Sequence, residues 1–148
     1  MTQFILKTDD GYSPLILRIG LGLVMSVHGA QKVFGWFGGY GFSGTISFFT
    51  TTMHLPWIIG FLVIIIEFVG AIALLAGIFT RVASVAIAGV LIGIVITSHI
   101  QFGFFMNWGG AQKGEGIEYF LIYLAGMISL AITGGGVFSV DRSISKHV

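Results

Sequence analysis

Cysteine is absent from this chain. Fe–S clusters and c-type haem are attached through thiols, and thiol catalysis and disulfide exchange need them as well. We therefore expect neither a c-type haem nor an Fe–S cofactor. Any redox chemistry of this chain would need an electron carrier supplied by a bound ligand or by a partner.

Charged residues are the second scarcity. Seven basic and six acidic residues make up 9% of the 148 residues, whereas an ordinary soluble domain has about 25%. Hydrophobic residues make up 55%, and a domain of this size buries only about 70% of its unfolded surface. Thirteen charged residues cannot cover the surface that stays exposed to water, which excludes a soluble globular protein. The high hydrophobicity excludes a disordered chain. The formal net charge of +1 indicates no nucleic-acid partner.

Long apolar runs show where lipid is the solvent. A run of about 18 residues is a candidate membrane span, and we predict four spans at about residues 14–37, 56–79, 81–100 and 117–136. Backbone groups in lipid must be hydrogen-bonded within the segment, so continuous apolar runs predict helices, whereas a barrel would need short alternating segments. The sequence thus predicts a single domain, residues 1–148, with an all-α fold: an integral membrane four-helix bundle.

The segment between the first two runs contains no Lys, Arg, Asp or Glu. Phe42, Ile46, Phe49 and Met53 recur there at helical spacing, and Ser and Thr supply much of the remainder. This pattern predicts a short amphipathic helix at about residues 40–53 that lies at the membrane interface. A re-entrant segment is the alternative.

The basic residues predict the orientation. With four spans, most of them fall on one side of the membrane: Lys7, Arg18, Arg81, Arg142 and Lys146. Lys32 and Lys113 fall on the other side. The positive-inside rule then predicts that both termini are cytoplasmic and that the loop at residues 103–116 lies outside.

Six ionisable residues lie within the predicted spans or at their ends: Arg18, His28, Lys32, Glu67, His99 and Glu118. Such groups are costly in a bilayer, so each is a candidate functional residue. His28 and Lys32 are one helical turn apart, and Gly22 and Gly29 on the same face would let another helix approach closely. A helical bundle could bring these faces together around one polar pocket in the outer half of the membrane.

A quinone headgroup suits such a pocket better than a metal ion does. A His or Lys donor and a Glu proton acceptor are the minimal equipment for a small ring that carries two carbonyl oxygens and arrives from the bilayer. Histidine and carboxylate are ligand types for Zn, Mn or Fe, but no H-x-x-E-H, E-x-x-H or H-E-x-x-H spacing occurs, so we predict no metal site. The alternative is that Glu67 and Lys32 form a buried ion pair that only fixes helix packing.

Several motifs together resemble one family. The first span contains Leu17-Arg18-Ile-Gly-Leu-Gly22 and then His28-Gly29-Ala30-Gln31-Lys32-Val-Phe34-Gly35. This resembles the DoxX family, in which an Arg-containing start precedes a His-Gly-x-Gln-Lys-x-Phe-Gly stretch. Similar family elements follow as Glu67-Phe-Val-Gly70, Gly77-Ile-Phe-Thr80-Arg81 and Ser139-Val140-Asp141, with Ala71 where a second Gly often occurs. The resemblance covers nearly the whole chain.

The resemblance implies a multi-pass protein of the bacterial or archaeal cytoplasmic membrane, linked to quinone-dependent oxidation, often as the small non-haem subunit of an oxidoreductase complex. On this basis we expect a quinone or quinol ligand, a lipid bilayer around the chain and oxidoreductase partner subunits, with a homo-oligomer as a further option. The residues expected to transfer protons are His28, Lys32, Glu67 and Glu118. Those expected to contact the ligand are Arg18, His28, Gln31, Lys32, Glu67 and His99.

Two other functions stay open at this point, and so does whether the chain is an enzyme. Intramembrane Glu and His also suit a transporter or channel for protons or a small solute. Small residues such as Gly22, Ser26 and Ala30 would also suit a scaffold subunit without catalysis, because they let helices associate closely. Composition and spacing do not decide among the three.

Overall fold

A computed structural model describes residues 5–146, so the predicted domain of residues 1–148 extends past the described chain at both ends. The predicted all-α fold class is confirmed, and the described residues contain no strand. The α-helices are α1 (Ser13–Phe34), α2 (Gly41–Ser47), α3 (Trp57–Ala76), α4 (Thr80–Ile94), α5 (Glu118–Thr133) and α6 (Val140–Ser145). Helix α4 continues as a π-helical turn, Val95–His99, and a 3-10 turn, Ile100–Phe102.

Left-handed glycines end the first two long helices earlier than the apolar runs do. Gly35 follows α1 with φ +74°, and Gly77 follows α3 with φ +67°. Glycine adopts this conformation without a steric penalty, and it stops the helix while the sequence stays hydrophobic. The predicted spans of residues 14–37 and 56–79 therefore overshoot the helices by three residues each at their C-terminal ends.

Within residues 5–146, three helical segments are long and apolar enough to cross a bilayer: Ser13–Phe34, Trp57–Ala76 and Thr80–Phe102. The fourth, α5, has only 16 residues. At 1.5 Å per residue it is about 24 Å long, against about 30 Å for a hydrocarbon core. The helix ends at Thr133 and the glycines that follow do not continue it, so the predicted span at residues 117–136 extends three residues beyond the helix. That this segment spans the membrane stays a prediction.

The helices pack in the order α1, α3, α4 and α5, and α5 returns to contact α1. Their buried side chains form one core: Met25, Ala71, Leu74, Ala83, Ile87, Leu91, Phe120, Tyr123, Met127 and Leu130. Large apolar side chains also point outward, such as Ile16 (70% exposed) and Ile122 (72% exposed). An apolar outer surface is expected of helices whose solvent is lipid.

Arg18 holds one end of the helix assembly together. Its side chain is 2% exposed, and its guanidinium donates to the carbonyls of Leu74 and Leu75 at the end of α3. It also donates to three carbonyls after α5, those of Gly135, Val137 and Phe138. Helix ends leave their last carbonyls unpaired, so one buried arginine satisfies groups from two separate chain segments.

The two termini of the described chain also lie near Arg18. The Asp141 carboxylate, just inside α6, accepts from the backbone N–H groups of Phe79 (2.7 Å) and Thr80 (2.8 Å) at the start of α4. The backbone N–H of Asp9 donates to the carbonyl of Thr133 at 2.9 Å. Both ends of the described chain therefore lie at the Arg18 end of the assembly. That this end faces the cytoplasm stays a prediction.

The predicted surface helix at residues 40–53 is present as α2 (Gly41–Ser47), continued by a π-helical turn, Phe48–Thr52. It packs against α1 and α3. Phe49 lies against the position of Gly60 near the start of α3, and Phe48 and Phe49 form one wall of a cavity described below. The position of α2 relative to a membrane interface stays a prediction.

Candidate functional site

The site begins at a close crossing of α1 and α3. A Cβ added at Gly29 would lie 2.7 Å from the Cα of Phe68 and 3.2 Å from the carbonyl carbon of Glu67. Only glycine allows backbones to approach so closely, which confirms the predicted role of Gly29. Helix α1 then carries Lys32, one turn further on, directly over Glu67.

Lys32 and Glu67 form an ion pair. The Nζ atom of Lys32 lies 2.6 Å from Oε2 of Glu67, and their side chains are 23% and 3% exposed. A charge in such surroundings is costly unless an opposite charge lies beside it. The other ion pair among residues 5–146 joins Arg142 to Asp10, whose side chain is 82% exposed. The interior pair is therefore the one that needs a structural or functional explanation.

Two cavities meet at this ion pair. The larger has a volume of about 680 Å³ and the smaller about 430 Å³. Four lining residues are common to both: Lys32, Glu67, Ile94 and His99. The pair therefore stands between two adjacent spaces. His28 and Glu115 line only the smaller one, so we call it the polar chamber (430 Å³) and the larger one the apolar chamber (680 Å³).

The polar chamber lies among α1, α3, α4 and the start of α5. Besides the shared residues it is lined by Met25, His28, Leu91, Met106, Glu115, Tyr119 and Phe120. Nδ1 of His99 lies 2.9 Å from the carbonyl oxygen of Glu115, and the His99 ring packs on Phe120 with centroids 4.5 Å apart. These contacts hold the imidazole at the chamber wall.

The apolar chamber lies among α2, α3 and α4. Its walls are mainly Phe48, Phe49, Met53, Leu55, Ile59, Leu62, Val63, Ile66, Ala86 and Val90. Gln31 lines it from α1, and its Nε2 atom donates to the carbonyl of Phe37 at 3.3 Å. The hydroxyl-bearing Tyr40, Thr45, Thr97 and Ser98 contribute a smaller polar portion.

The structure brings four of the predicted site residues together around the polar chamber: His28, Lys32, Glu67 and His99. Gln31 joins Lys32 and Glu67 at the apolar chamber. Their common location follows from the Gly29 crossing and from the π-helical turn that ends in His99. Whether these residues bind a ligand or transfer protons stays a prediction.

Two predicted residues lie elsewhere. Arg18 lines neither chamber, and its guanidinium is committed to the backbone carbonyls at the opposite end. Glu118 lines neither chamber either, and its Oε2 accepts from the backbone N–H of Met106 at 3.3 Å. Helix α5 begins at Glu118, and this carboxylate faces the preceding loop. Both side chains therefore have structural contacts, and their expected part in ligand binding or proton transfer stays a prediction.

Glu115 and Tyr119 also line the polar chamber, although the sequence does not single them out. Glu115 lies in the loop between α4 and α5, and it lines the polar chamber because that loop folds back. The backbone N–H of Gly116 donates to Phe105 at 3.1 Å, and that of Glu118 donates to Phe104 at 2.9 Å. No local pattern reveals such a return. Tyr119 could have been found only by its spacing of one turn from the buried Tyr123.

The charged groups of the site do not gather as metal ligands. Within residues 5–146 there is no group of three His, Asp or Glu side chains placed to hold a metal ion. The geometry instead offers donors and acceptors spread around a space bounded largely by apolar walls.

Comparisons with known proteins agree with the motifs. The DoxX family profile matches residues 13–100. "Putative oxidoreductase CatD" of Bacillus subtilis (strain 168) is 30% identical, over 89% of this chain and 87% of its own. "Inner membrane protein YqjF" of Escherichia coli (strain K12) is 32% identical over 95% and 98%. "Inner membrane protein YphA" of the same strain is 27% identical over 86% and 87%. No solved structure matches the chain.

Proposed function

This chain belongs to the DoxX family of membrane proteins, and on that premise we propose that it binds a quinone, or a similar small apolar ligand, at the Lys32–Glu67 pair. In this proposal the chain serves as a small subunit or accessory of a quinone-linked membrane oxidoreductase. The ligand reaches the site from the bilayer, and partner subunits supply or remove electrons. The name of one relative, CatD, includes the word oxidoreductase.

The ion pair between two chambers is the observation that carries the proposal. A pair that only fixed helix packing would need no free space beside it. Here both Lys32 and Glu67 line two spaces of 680 and 430 Å³, and ligand pockets in proteins usually measure about 300–1,000 Å³. The pair is therefore placed where a ligand could contact it from either side.

The side chains present fit a quinone headgroup. A quinone has two carbonyl oxygens that accept hydrogen bonds, and the Lys32 ammonium and an N–H of the His28 ring can donate to them from the wall of the polar chamber. Leu91, Ile94 and Phe120 offer apolar walls for a flat ring. Few polar groups in an otherwise apolar pocket are typical of small-molecule sites.

Each residue then has a distinct task. When bound, the quinone would supply the electron-accepting chemistry that this cysteine-free chain lacks. Lys32 orients a carbonyl oxygen by donating a hydrogen bond from Nζ. Glu67 balances the Lys32 charge and can hold a proton at Oε2, 2.6 Å from that nitrogen. His28 and His99 line the chamber, where their ring nitrogens can accept and release protons.

Quinone binding in lipid nanodiscs tests the proposal. We would measure the affinity of decylubiquinone for the wild type, for Glu67→Gln, and for Glu118→Gln as the matched carboxylate that lines neither chamber. We expect the wild type and Glu118→Gln to bind alike, and Glu67→Gln to bind about tenfold more weakly, since a charge-assisted contact contributes about 1.5–3 kcal/mol.

Equal affinity in all three proteins, or binding by none of them, would contradict the proposal.

A second assay separates transport from binding. Liposomes that contain the protein and a pH-sensitive dye should show no proton flux under a proton gradient. Flux that disappears in Glu67→Gln would favour a transporter instead.

A further inference from the structure

The two chambers differ in chemistry as well as in size. The polar chamber has His28, Glu115 and Tyr119 on its walls in addition to the shared ion pair. The apolar chamber is the larger, and Phe48, Leu62 and Val63 are typical of its walls. Both chambers have largely apolar walls, but an imidazole and a carboxylate line only the smaller one, and the larger one adds the longer apolar wall. A compact headgroup that needs such polar groups and a long apolar tail have the same division.

Two glycines on α4 widen the apolar chamber. Gly89 and Gly93 both line it, and a Cβ added to either would meet nothing within 4 Å. They lie one turn apart on the same helix face, and neither has a positive φ. Neither backbone strain nor helix contact therefore requires glycine at these positions. What the two glycines do is leave a continuous free strip along the chamber wall.

The chamber is open towards the surroundings of the protein. Ile59 and Leu62 on α3 and Phe48 beside α2 line it, and they are 41%, 43% and 43% exposed. Under the proposed membrane location, an apolar chain could move from the hydrocarbon region into this chamber without crossing water.

We propose that the apolar chamber binds the alkyl or prenyl tail of a ligand whose carbonyl-bearing headgroup lies in the polar chamber. This inference rests on the proposed function and adds the ligand class: an amphiphile with both parts, not a free headgroup. The Lys32–Glu67 pair contacts the ligand where headgroup and tail join, because it lines both chambers.

Close packing of the tail against the chamber walls, and not the hydrophobic effect, is what would favour binding of the tail. Lipid tails are as apolar as the chamber walls, so moving a tail from the bilayer into the chamber yields no hydrophobic gain. The contribution must come from close packing along the walls, which filling the chamber would remove.

The test compares two ligands and two variants. The ligands are decylubiquinone and the same dimethoxy-methylbenzoquinone headgroup without a tail. Gly93→Leu fills the chamber, and Gly20→Leu is the control, because Gly20 is also helical, also meets nothing within 4 Å, and lines neither chamber. Affinities are measured in nanodiscs.

We expect Gly93→Leu to weaken decylubiquinone binding about tenfold and to leave binding of the tailless quinone unchanged, while Gly20→Leu changes neither. Equal decylubiquinone affinity in all three proteins, with the headgroup still bound, would overturn the tail chamber and leave the proposed function intact. Binding of neither quinone by the wild type would overturn both proposals.

A labelling experiment on the wild type does not depend on any variant folding. A decylubiquinone with a diazirine at the end of its tail is bound and photolysed, and the labelled residues are mapped by mass spectrometry. We expect labels on Met53, Leu62 or Val63. Labels confined to outward residues such as Ile16 and Ile122 would overturn the inference. So would labelling that excess phospholipid suppresses and excess quinone, with or without a tail, does not.

Discussion

Gly29 on α1 lies against the backbone of Phe68 on α3, and this contact places Lys32 beside Glu67. A Cβ at Gly29 would come within 2.7 Å of the Phe68 Cα, which is too short for any side chain without movement of one helix. The ion pair at 2.6 Å lies one turn away along α1. The position of the ion pair therefore depends on the helix crossing. Substitutions at Gly29 perturb the crossing, and substitutions at Lys32 or Glu67 perturb the pair.

The first prediction concerns the crossing. Gly29→Ala should destabilise the protein by about 1–3 kcal/mol, since an overfilled interior contact forces the helices apart. It should also weaken quinone binding, because Lys32 moves away from Glu67. The control is Gly20→Ala, where a Cβ meets nothing within 4 Å. That change should be neutral or stabilising by up to about 1 kcal/mol. Unfolding in detergent measures both, and similar losses in both variants would contradict the prediction.

The second prediction concerns the ion pair itself. Lys32→Met alone should destabilise the protein by about 1–3 kcal/mol, because Glu67, with its side chain 3% exposed, is left without its partner charge. The double variant Lys32→Met with Glu67→Leu should recover to within about 1 kcal/mol of the wild type, since removing both charges also removes their desolvation cost. A double-mutant cycle of unfolding free energies measures the coupling. A coupling of zero would show that the two charges do not interact.

The third prediction concerns Arg18. Arg18→Lys should destabilise the protein by about 3 kcal/mol or more, because an ammonium has three donors and no planar fork, whereas the guanidinium serves carbonyls from two segments. Asp10→Asn is the control at the same end, where the acidic side chain is 82% exposed, and should change stability by less than about 0.5 kcal/mol. Unchanged quinone affinity per folded molecule of Arg18→Lys would support a structural role. Selective loss of affinity at normal stability would instead support the ligand contact expected from the sequence.

The fourth prediction concerns the orientation of the chain and the crossing by α5. The chain has no native cysteine, so single cysteines can be introduced at Lys113, in the α4–α5 loop, and at Ser143, on α6; both positions are exposed. A membrane-impermeant maleimide should label Lys113→Cys in intact cells and Ser143→Cys only after permeabilisation, as the positive-inside rule predicts. Labelling of both from the same side would show that α5, about 24 Å long, does not cross.

Much of the fold could be predicted from the sequence. The low charge and the long apolar runs predict helices in lipid, since in hydrocarbon the backbone must bond to itself. The helix starts agree with the structure within one residue, whereas the ends at Phe34 and Ala76 do not. Left-handed glycines decide those ends, and hydropathy does not detect them.

The site was predictable only in part. His28, Lys32 and Glu67 stand out because ionisable groups are costly within spans, and helical spacing places the first two on one face. Glu118 satisfies the same rule, yet it contacts a loop. Glu115 does not satisfy it, yet it lines the polar chamber. The free-energy cost of burying an ionisable side chain in lipid shows which residues need a partner. It does not show which partner each residue has.

The sequence by itself therefore determined the membrane as solvent, the helices and the family, because these follow from local composition, periodicity and motifs. Only the tertiary structure decided that Arg18 joins chain ends, that the α4–α5 loop returns Glu115 to the wall of the polar chamber, and that two chambers share one ion pair. Those features depend on which helices cross and how closely. That is decided by contacts between residues far apart in the chain, such as Gly29 with Phe68.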